Sequence, residues 1–450
     1  MRVTIFFEEE FLGVYPSIIN AITLLSPVCK SVEIISGKRI SNFPAPPEFP
    51  RNVIFHKIKQ DFTYDRNHFE QNKTPIPSNV HLPDTKNSFS WKGLFPNSLK
   101  QIYRNYRTII FDNLHNISQQ YLWFLDKIKY YRFCVSQTYD KSPTILIAID
   151  ESGLIAAILV KLIYFRKKHN LIFWSLETGL VTSNSNLIFP RIHECLFSFS
   201  AKFIDILITQ EESRLKDLEK KLRSRICSIP KFFIPHSPLN KFNNYKDLDE
   251  SRCEFFKDMF SLSNNEKVIL HAGWIHDSMC VDKMALASAS WNKNYKLVLH
   301  EREKRSSKES FINYISELSK NQVLLSLNPV SFDKIDEIIS SAHIGLIAYD
   351  SSYGEGRVNI RKSSGKLAQY LKCGVPVIAL DLPGYKEMFN KFKCGLVFQN
   401  FEEIEQCIDT ILADYDSFSK GSLDCFHDEF DFNKFFSPFL SYISKNYSQF

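Results

Sequence analysis

The sequence lacks the cysteine patterns of disulfide scaffolds and zinc sites. Its ten cysteines are scattered from Cys29 to Cys425, none forms a CxxC pair, and no close cysteine–histidine cluster occurs. This usage is typical of reduced, mostly buried cysteines in a cytoplasmic protein. No GxSxG turn indicates a hydrolase nucleophile, and there is no convincing DxD-type metal site. We therefore expect neither a metal nor a resident cofactor.

Long apolar runs and long basic tracts are absent as well. The most apolar segment, Gly153 to Phe165, is interrupted by Lys161 and is too short to cross a bilayer. The chain opens on a strand pattern, so no signal peptide is expected. The net charge of +6 permits anionic ligands or a membrane surface, but no basic tract with interleaved aromatics indicates nucleic acid. The expected location is the cytoplasm, with room for peripheral contact with the inner face of the membrane.

What the 450-residue chain does contain is a regular alternation of strand and helix patterns. Strands that are apolar throughout, separated by helices, predict an α/β fold with parallel, doubly wound sheets. The length is too great for one ordinary core, so two such domains fit. In the first half the predicted strands are Val3–Phe7, Val32–Ser36, Val53–Ile58, Thr108–Asp112, Ile145–Asp150, Leu171–Leu176, Ile206–Thr209 and Phe232–Pro235.

Two polar stretches indicate the domain organisation. Residues 60–107 hold several prolines without clear periodicity and predict an irregular insertion, which could be an acceptor-binding flap, a membrane-touching edge or a disordered segment. Residues 235–251 are polar and predict the interdomain linker. The predicted domains are 1–238, 239–415 and a helical tail, 416–450.

The stretch from Tyr353 to Asp381 organises the second half. A helix is predicted from Gly365 to Lys372, with Ser363 or Ser364 as its N-cap and Gly374 in the left-handed position that ends it. The free amides and dipole of its first turn favour an anion. Because three cations gather there, we interpret the stretch as a diphosphate site, although a capped surface helix with solvated lysines fits the same residues. These cations are Arg361, Lys362 and Lys366.

The order of segments in the second half resembles the C-terminal domain of GT-B-fold glycosyltransferases, especially the large retaining, nucleotide-sugar-dependent group that is family 4-like. The matching segments are KVILHAGWIHDS, KLVLHEREK, SFDKIDEIISSAHIGLIAY and SSGKLAQYLKCGVPVIALDLPGYKEM with GLVF. The match covers residues 267–398 and is only architectural before them. It departs from the family where many members carry two glutamates eight residues apart, since Arg361 and Gln369 stand at those positions.

The resemblance implies two Rossmann-like domains facing across a cleft, with a C-terminal helix that crosses back. The second domain would bind a nucleotide-diphosphate-sugar as co-substrate, and the first would bind a glycan or lipid-linked acceptor, as in surface polysaccharide synthesis. Transfer would be retaining and independent of metal. The donor-binding residues on this reading are Gly273, Arg302, Glu355, Ser363, Ser364, Lys366 and Gln369.

Two acidic positions in the first half are candidates for the chemistry of the acceptor. Asp150 and Glu177 follow successive predicted strands, and the carboxyl ends of parallel strands are where ligands bind in such sheets. Either carboxylate could orient or deprotonate an acceptor hydroxyl, although Asp150 could instead only cap the following helix. Two rival functions stay open, a nucleotide-sugar epimerase and a non-catalytic GT-B-like binding protein.

Overall fold

A computed structural model describes residues 1–9, 15–37, 46–58, 97–138, 145–177, 188–222, 226–240, 254–320, 322–353 and 358–447, with side chains from residue 118 onward in the helix that spans 97–138. The first sheet has seven parallel strands in the order β3-β2-β1-β4-β5-β6-β7. They are β1 Arg2–Phe7, β2 Ser31–Ser36, β3 Val53–Lys57, β4 Ile145–Ile149, β5 Asn170–Trp174, β6 Ile206–Thr209 and β7 Lys231–Phe233. The helices around it are α1 Pro16–Leu25, α2 Asn97–Thr138, α3 Asp150–Ile163, α4 Ile188–Ser200 and α5 Glu212–Leu222.

The second sheet has six parallel strands in the order β10-β9-β8-β11-β12-β13. They are β8 Lys267–Ala272, β9 Tyr295–His300, β10 Leu324–Ser326, β11 Ile344–Ile347, β12 Val377–Leu380 and β13 Gly395–Phe398. Its helices are α6 Phe255–Phe260, α7 Val281–Ser288, α8 Ser310–Leu318, α9 Ile335–Ser340, α10 Gly365–Lys372, α11 Tyr385–Phe392 and α12 Ile404–Ala413. In both sheets the order reverses beside the first strand, which is where open α/β sheets bind ligands.

The first strand shows how the sequence builds two core layers. Successive side chains of a strand point to opposite faces of the sheet. Val3, Ile5 and Phe7 therefore join one buried cluster, with α1, while Phe6 joins the other, with α2, α3 and α4. Since both faces are covered by helices, every residue of the strand after Arg2 is buried, and all of these except Thr4 are apolar.

The C-terminal tail returns to the first domain. It forms α13 Tyr415–Glu429 and α14 Phe432–Tyr447. Four side chains of α14 are fully buried in the first domain's core, and two of them pack on Trp174, with ring centroids 6.5 Å from Phe432 and 6.3 Å from Phe436. The four buried side chains are Phe432, Phe436, Phe439 and Ile443. The predicted architecture of two doubly wound domains with a helix crossing back is therefore confirmed.

Three local predictions are wrong. Thr108–Asp112 is not a strand, because it lies inside α2, and a short apolar run cannot be distinguished from a segment of helix by its pattern alone. Residues 97–107 belong to α2 as well, so the irregular insertion does not extend that far. Residues 60–96 of the predicted insertion lie outside the described residues. Asp150 begins α3 and is not the last residue of β4.

Within the described ranges, no helix has the length and apolar character needed to cross a membrane.

Candidate functional site

The first turn of α10 is fixed by hydrogen bonds on both sides. Ser364 is its N-cap, with its Oγ accepting from the backbone N of Leu367 at 3.1 Å, and the hydroxyl of Tyr349 lies 2.9 Å from the same Oγ. Further along the helix, the hydroxyl of Tyr370 accepts from the backbone N of Ala272 at 2.8 Å and donates to the carbonyl of Leu270 at 2.7 Å. The helix start is thus held against the carboxyl end of β8.

Lys366 extends from that first turn over the end of β8. Its Nζ lies 3.1 Å from Nε2 of His271 and 5.8 Å from the ring centroid of Tyr349. Burial and the charge of Lys366 hold the pKa of His271 well below its usual value, so the imidazole is neutral and can accept from the ammonium. Gly273, at φ 141°, leaves room for the lysine, because a Cβ there would lie 3.0 Å from its Cε and Nζ. A side chain at 273 would therefore crowd the end of Lys366 and would be strained by the positive φ.

Arg302 places a second cation at this edge, after β9. Its guanidinium carbon lies 3.9 Å from the ring centroid of Trp274, within the range of a cation–π contact. Glu301 fixes the backbone of the loops after β8 and β9, since it accepts from the backbone N of Ile275 and of Arg302, each at 2.9 Å. Burial raises the pKa of Glu301. The loops after β8 and β9 are thereby tied together.

The first domain brings His236 to the start of α10. The segment after β7 passes so close that a Cβ on Gly365 would lie 2.8 Å from Cδ2 of His236. The backbone N of His236 donates to the carbonyl of Lys362 at 2.8 Å, and its Nδ1 lies 2.9 Å from the hydroxyl of Ser17 at the start of α1. Burial, followed by the charges of Arg214 and Arg302, lowers the pKa of His236 to about 4. A neutral imidazole from the first domain therefore lines the helix start of the second.

Asp150 and Glu177 are brought together at the carboxyl edge of the first sheet. Oδ1 of Asp150 accepts from the backbone N of Leu176 at 2.7 Å and of Glu177 at 2.9 Å. Burial raises the pKa of Asp150 well above its usual value, and the nearby Glu177 raises it further. The exposed Glu177 carboxylate accepts from the hydroxyl of Tyr15 at 3.3 Å, and the Tyr15 ring centroid lies 6.0 Å from that of His236. One line of contacts thus joins Glu177 to the start of α10.

Direct contacts also cross between the domains beside this line. Arg214 of α5 donates from Nη1 to the carbonyl of Leu176 at 2.7 Å and from Nε to the carbonyl of Asn359 at 2.9 Å. Arg361, one of the three predicted cations, is paired with Glu211 of the first domain at 3.0 Å. Arg361 therefore links the domains through an acidic partner, and Lys362 is likewise paired, with Glu429 at 2.7 Å.

The structure places the other predicted donor residues as follows. The Ser363 Oγ is buried and has no hydrogen-bond partner among the described residues. Gln369 is buried, and its amide donates to Asp336, which also pairs with Lys372 at 2.7 Å. The side chain of Gln369 is thus engaged with α9. Glu355 lies outside the described residues.

A second polar cluster lies beside the start of α3. Lys127 of α2 bonds the carboxylate of Glu8, at the end of β1, and the hydroxyl of Ser152 at 2.9 Å. Burial alone would raise the pKa of Glu8, but Lys127 outweighs it and the pKa is lowered. Nε2 of His193 lies 2.9 Å from the hydroxyl of Tyr131. The bonds of Lys127 therefore tie α2 and α3 to the residue that follows β1.

Sequence reasoning missed the contributions of Tyr15, His236 and His271. His236 could have been found, because it follows β7 and residues after parallel strands gather at one edge. His271 lies inside β8, where the sequence has no polar pattern to mark it. Tyr15 precedes α1 and acquires its role only through the packing of that helix on the segment after β7.

Comparisons with known proteins agree with the architecture. No model of a known protein family matches the chain, and no curated protein matches it in sequence. Sucrose-phosphate synthase from Thermosynechococcus elongatus is similar in structure at a TM-score of 0.65 and 10% identity, with 100% of both chains covered. HepE from Anabaena, solved in complex with UDP-glucose, is similar at 0.58 and 11% identity, over 98% of this chain and 99% of that chain. A candidate UDP-N-acetylglucosamine 2-epimerase from Listeria monocytogenes is similar at 0.54 and 11% identity, over 100% of this chain and 97% of that chain. The likeness confirms the predicted GT-B fold.

Proposed function

We propose that this chain of GT-B fold is a glycosyltransferase, which moves a sugar from a nucleotide-diphosphate-sugar to a glycan or lipid-linked acceptor. The observation that carries the proposal is the start of α10, where a capped helix end, Lys366 and Arg302 face His236 of the other domain. The structure of HepE with UDP-glucose favours a UDP-sugar as donor.

The donor half supplies what departure of a nucleoside diphosphate requires. Cleavage of the sugar–phosphate bond leaves negative charge on the diphosphate, and fixed donors and cations stabilise that charge in the transition state. The free amides of the first turn of α10, together with Lys366 and Arg302, are such donors. Because Gly273 has no side chain, the phosphates can approach the end of β8 closely.

The acceptor half supplies a carboxylate for the attacking hydroxyl. Glu177 is exposed and is oriented by Tyr15, so it orients the acceptor and can take its proton. Asp150 acts differently, because its Oδ1 already accepts from two backbone amides and thereby fixes the loop that carries Glu177. Because the donor half resembles the retaining nucleotide-sugar-dependent group, we extend the proposal to retention of configuration and to transfer without a metal or other cofactor. We also propose that the reaction belongs to surface polysaccharide synthesis and takes place in the cytoplasm.

The experiment that tests the donor site is calorimetry with UDP- and GDP-sugars. Lys366→Ala should weaken binding about ten- to a hundredfold, the range expected for loss of one charge-assisted contact to phosphate. Lys334→Ala is the matched control, because Lys334 is exposed and lies directly before α9. Equal binding by the two variants would remove the site assignment.

A nucleotide-sugar epimerase is the second candidate, favoured by the full-length likeness to the Listeria protein. Incubation of the purified chain with UDP-N-acetylglucosamine and no acceptor separates the two functions. An epimerised product indicates the second candidate, whereas transfer that needs an added glycan or lipid-linked acceptor supports the first. Binding of the nucleotide-sugar with neither product would indicate a non-catalytic protein, the reading that the substitution of the paired glutamates by Arg361 and Gln369 keeps open.

A further inference from the structure

Helix α4 carries large apolar side chains on its solvent-exposed face. Its inner face is buried and carries Pro190, His193, Phe197 and Ser200. Its outer face is exposed, yet it also carries large apolar side chains at helical spacing. A helix on the surface of a globular protein ordinarily has a polar outer face, and exposed apolar side chains that are grouped on one face are typical of an interaction site. The outer side chains are Ile188, Ile192, Leu196 and Phe199, exposed by 62%, 41%, 40% and 47%.

The apolar surface continues onto the end of α3. Leu162, Ile163 and Phe165 are exposed by 45%, 52% and 73%. The neighbouring Lys161 donates to the carbonyl of Phe203 at 3.2 Å, just beyond the end of α4, and Phe203 packs on Phe199 with ring centroids 5.6 Å apart. The two helix ends are therefore adjacent. We name these seven exposed apolar side chains, on α3, directly after it and on α4, the outer patch.

The outer patch is concentrated in one part of the molecule. Of the fifteen large apolar side chains that are exposed in the described part of the chain, eight lie on α2, α3 and α4 and a ninth, Phe165, lies directly after α3; these helices pack on one another. Single exposed apolar residues are normal on any protein surface, but a contiguous set is typical of an interaction site.

Cations accompany the outer patch. Lys202 places its Nζ 4.9 Å from the ring centroid of Phe199, and the guanidinium carbon of Arg166 lies 5.8 Å from that of Phe165. Arg191 and Lys168 are exposed nearby, whereas Glu194 is the single acidic residue of α4. Long basic side chains beside exposed aromatic rings can leave their charged ends in the headgroup layer while the rings enter the acyl boundary.

We propose that the outer patch docks on an anionic lipid surface. The basic side chains beside the outer patch favour a lipid surface over a protein partner or a second copy of the chain. They flank the apolar side chains as in helices that lie in the membrane interface. The site lies on the domain to which the proposed function assigns the acceptor, but the inference depends only on α3 and α4 and survives if the donor site fails.

The test is sedimentation of the full chain with vesicles, without any nucleotide-sugar. The wild type should sediment with phosphatidylcholine vesicles that contain phosphatidylglycerol, less so at high salt and far less with phosphatidylcholine alone. The double variant Ile192→Ser, Phe199→Ser should lower partitioning about tenfold or more. Its matched control is Leu286→Ser, Tyr314→Ser, at positions exposed by 60% and 48% on the second domain, which should bind as the wild type does.

Two charge-reversal variants, one beside the outer patch and one on the second domain, test the role of the cations. Lys202→Glu should lower partitioning onto anionic vesicles about tenfold, while Lys308→Glu, an exposed lysine of the second domain, should not. All four variants alter exposed positions, so their thermal midpoints should match that of the wild type. Equal sedimentation with neutral and anionic vesicles, or wild-type binding by the double variant, overturns the proposal. So does a wild-type dimer that the double variant makes monomeric without any vesicle binding, since a second copy would then cover the patch.

Discussion

At the scale of single residues, Asp150 illustrates how a carboxylate is committed by its surroundings. Its backbone φ of 54° is left-handed, a conformation that Asp and Asn tolerate better than other side-chain-bearing residues. That conformation begins α3 while Oδ1 accepts from the amides of Leu176 and Glu177. The residue that sequence reasoning offered as a base or a helix cap thus joins two strand ends, and Glu177 is left to face the solvent.

Asp150→Asn should raise the free energy of unfolding at neutral pH. The folded pKa of Asp150 is raised by burial and by Glu177, so as the pH rises above the unfolded pKa, near 4, the unfolded chain loses this proton first and wild-type stability falls. Asparagine keeps the acceptor oxygen without the ionisation. The gain should therefore grow with pH until the folded pKa is passed, as measured by urea denaturation across a pH series.

Two controls bracket that prediction. Asp150→Ala should cost about 1–3 kcal/mol, because two amides lose their acceptor. Asp414→Asn should show the opposite pH trend, since its hydrogen bond to Lys393 lowers the pKa of Asp414, so that its contribution to stability is lost as the pH falls. If Asp150→Asn instead loses stability as pH rises, the carboxylate is ionised in the folded protein.

At the scale of elements, α10 is the clearest success of sequence reasoning. Its predicted range, Gly365–Lys372, and the left-handed Gly374 are as observed, and Ser364 is the one of the two predicted caps that caps it. A short capped helix is specified by local residues, since the cap, the helix formers and the terminating glycine lie within one segment. The long helix α2 shows the reverse, because its apolar run at 108–112 has a pattern that a strand shares.

Tyr370→Phe should loosen the attachment of α10 to β8. The hydroxyl makes two buried hydrogen bonds, to the backbone of Ala272 and of Leu270, and their loss should cost about 1–3 kcal/mol. Because these bonds also set the distance between the helix start and Gly273, affinity for a UDP-sugar should fall too. Urea denaturation and calorimetry measure the two effects. Tyr314→Phe, at an exposed position, should change neither quantity. If Tyr370→Phe changes neither the stability nor the affinity, packing alone holds α10 against β8.

At the scale of the whole molecule, the last helix connects the two domains through hydrophobic burial. Helix α13 packs beside α10, with the hydroxyl of Ser419 donating to the carbonyl of Gly374 at 2.6 Å. Helix α14 then enters the first domain's core. Because α13 packs on the second domain and α14 packs in the first, we expect the stability of both domains to depend on this C-terminal tail.

Phe436→Ala should destabilise the first domain by about 3–5 kcal/mol, although the residue belongs to the tail. The ring is fully buried and packs on Trp174, so tryptophan fluorescence during urea denaturation should report the loss. Lys445→Ala, at an exposed position of the same helix, should have little effect. Equal stability of the two variants would show that the tail contributes nothing to the first core.

The sequence by itself determined the two parallel sheets, the capped α10 and the glycines that end a strand and a helix. Each depends on neighbouring residues, whose burial pattern and backbone preferences are fixed locally. Only the tertiary structure decided that His236 meets Gly365, that Asp150 bonds the loop after β5 and that α14 packs on Trp174. These contacts join segments far apart in the chain, and their geometry follows from how whole elements pack, which no local pattern encodes.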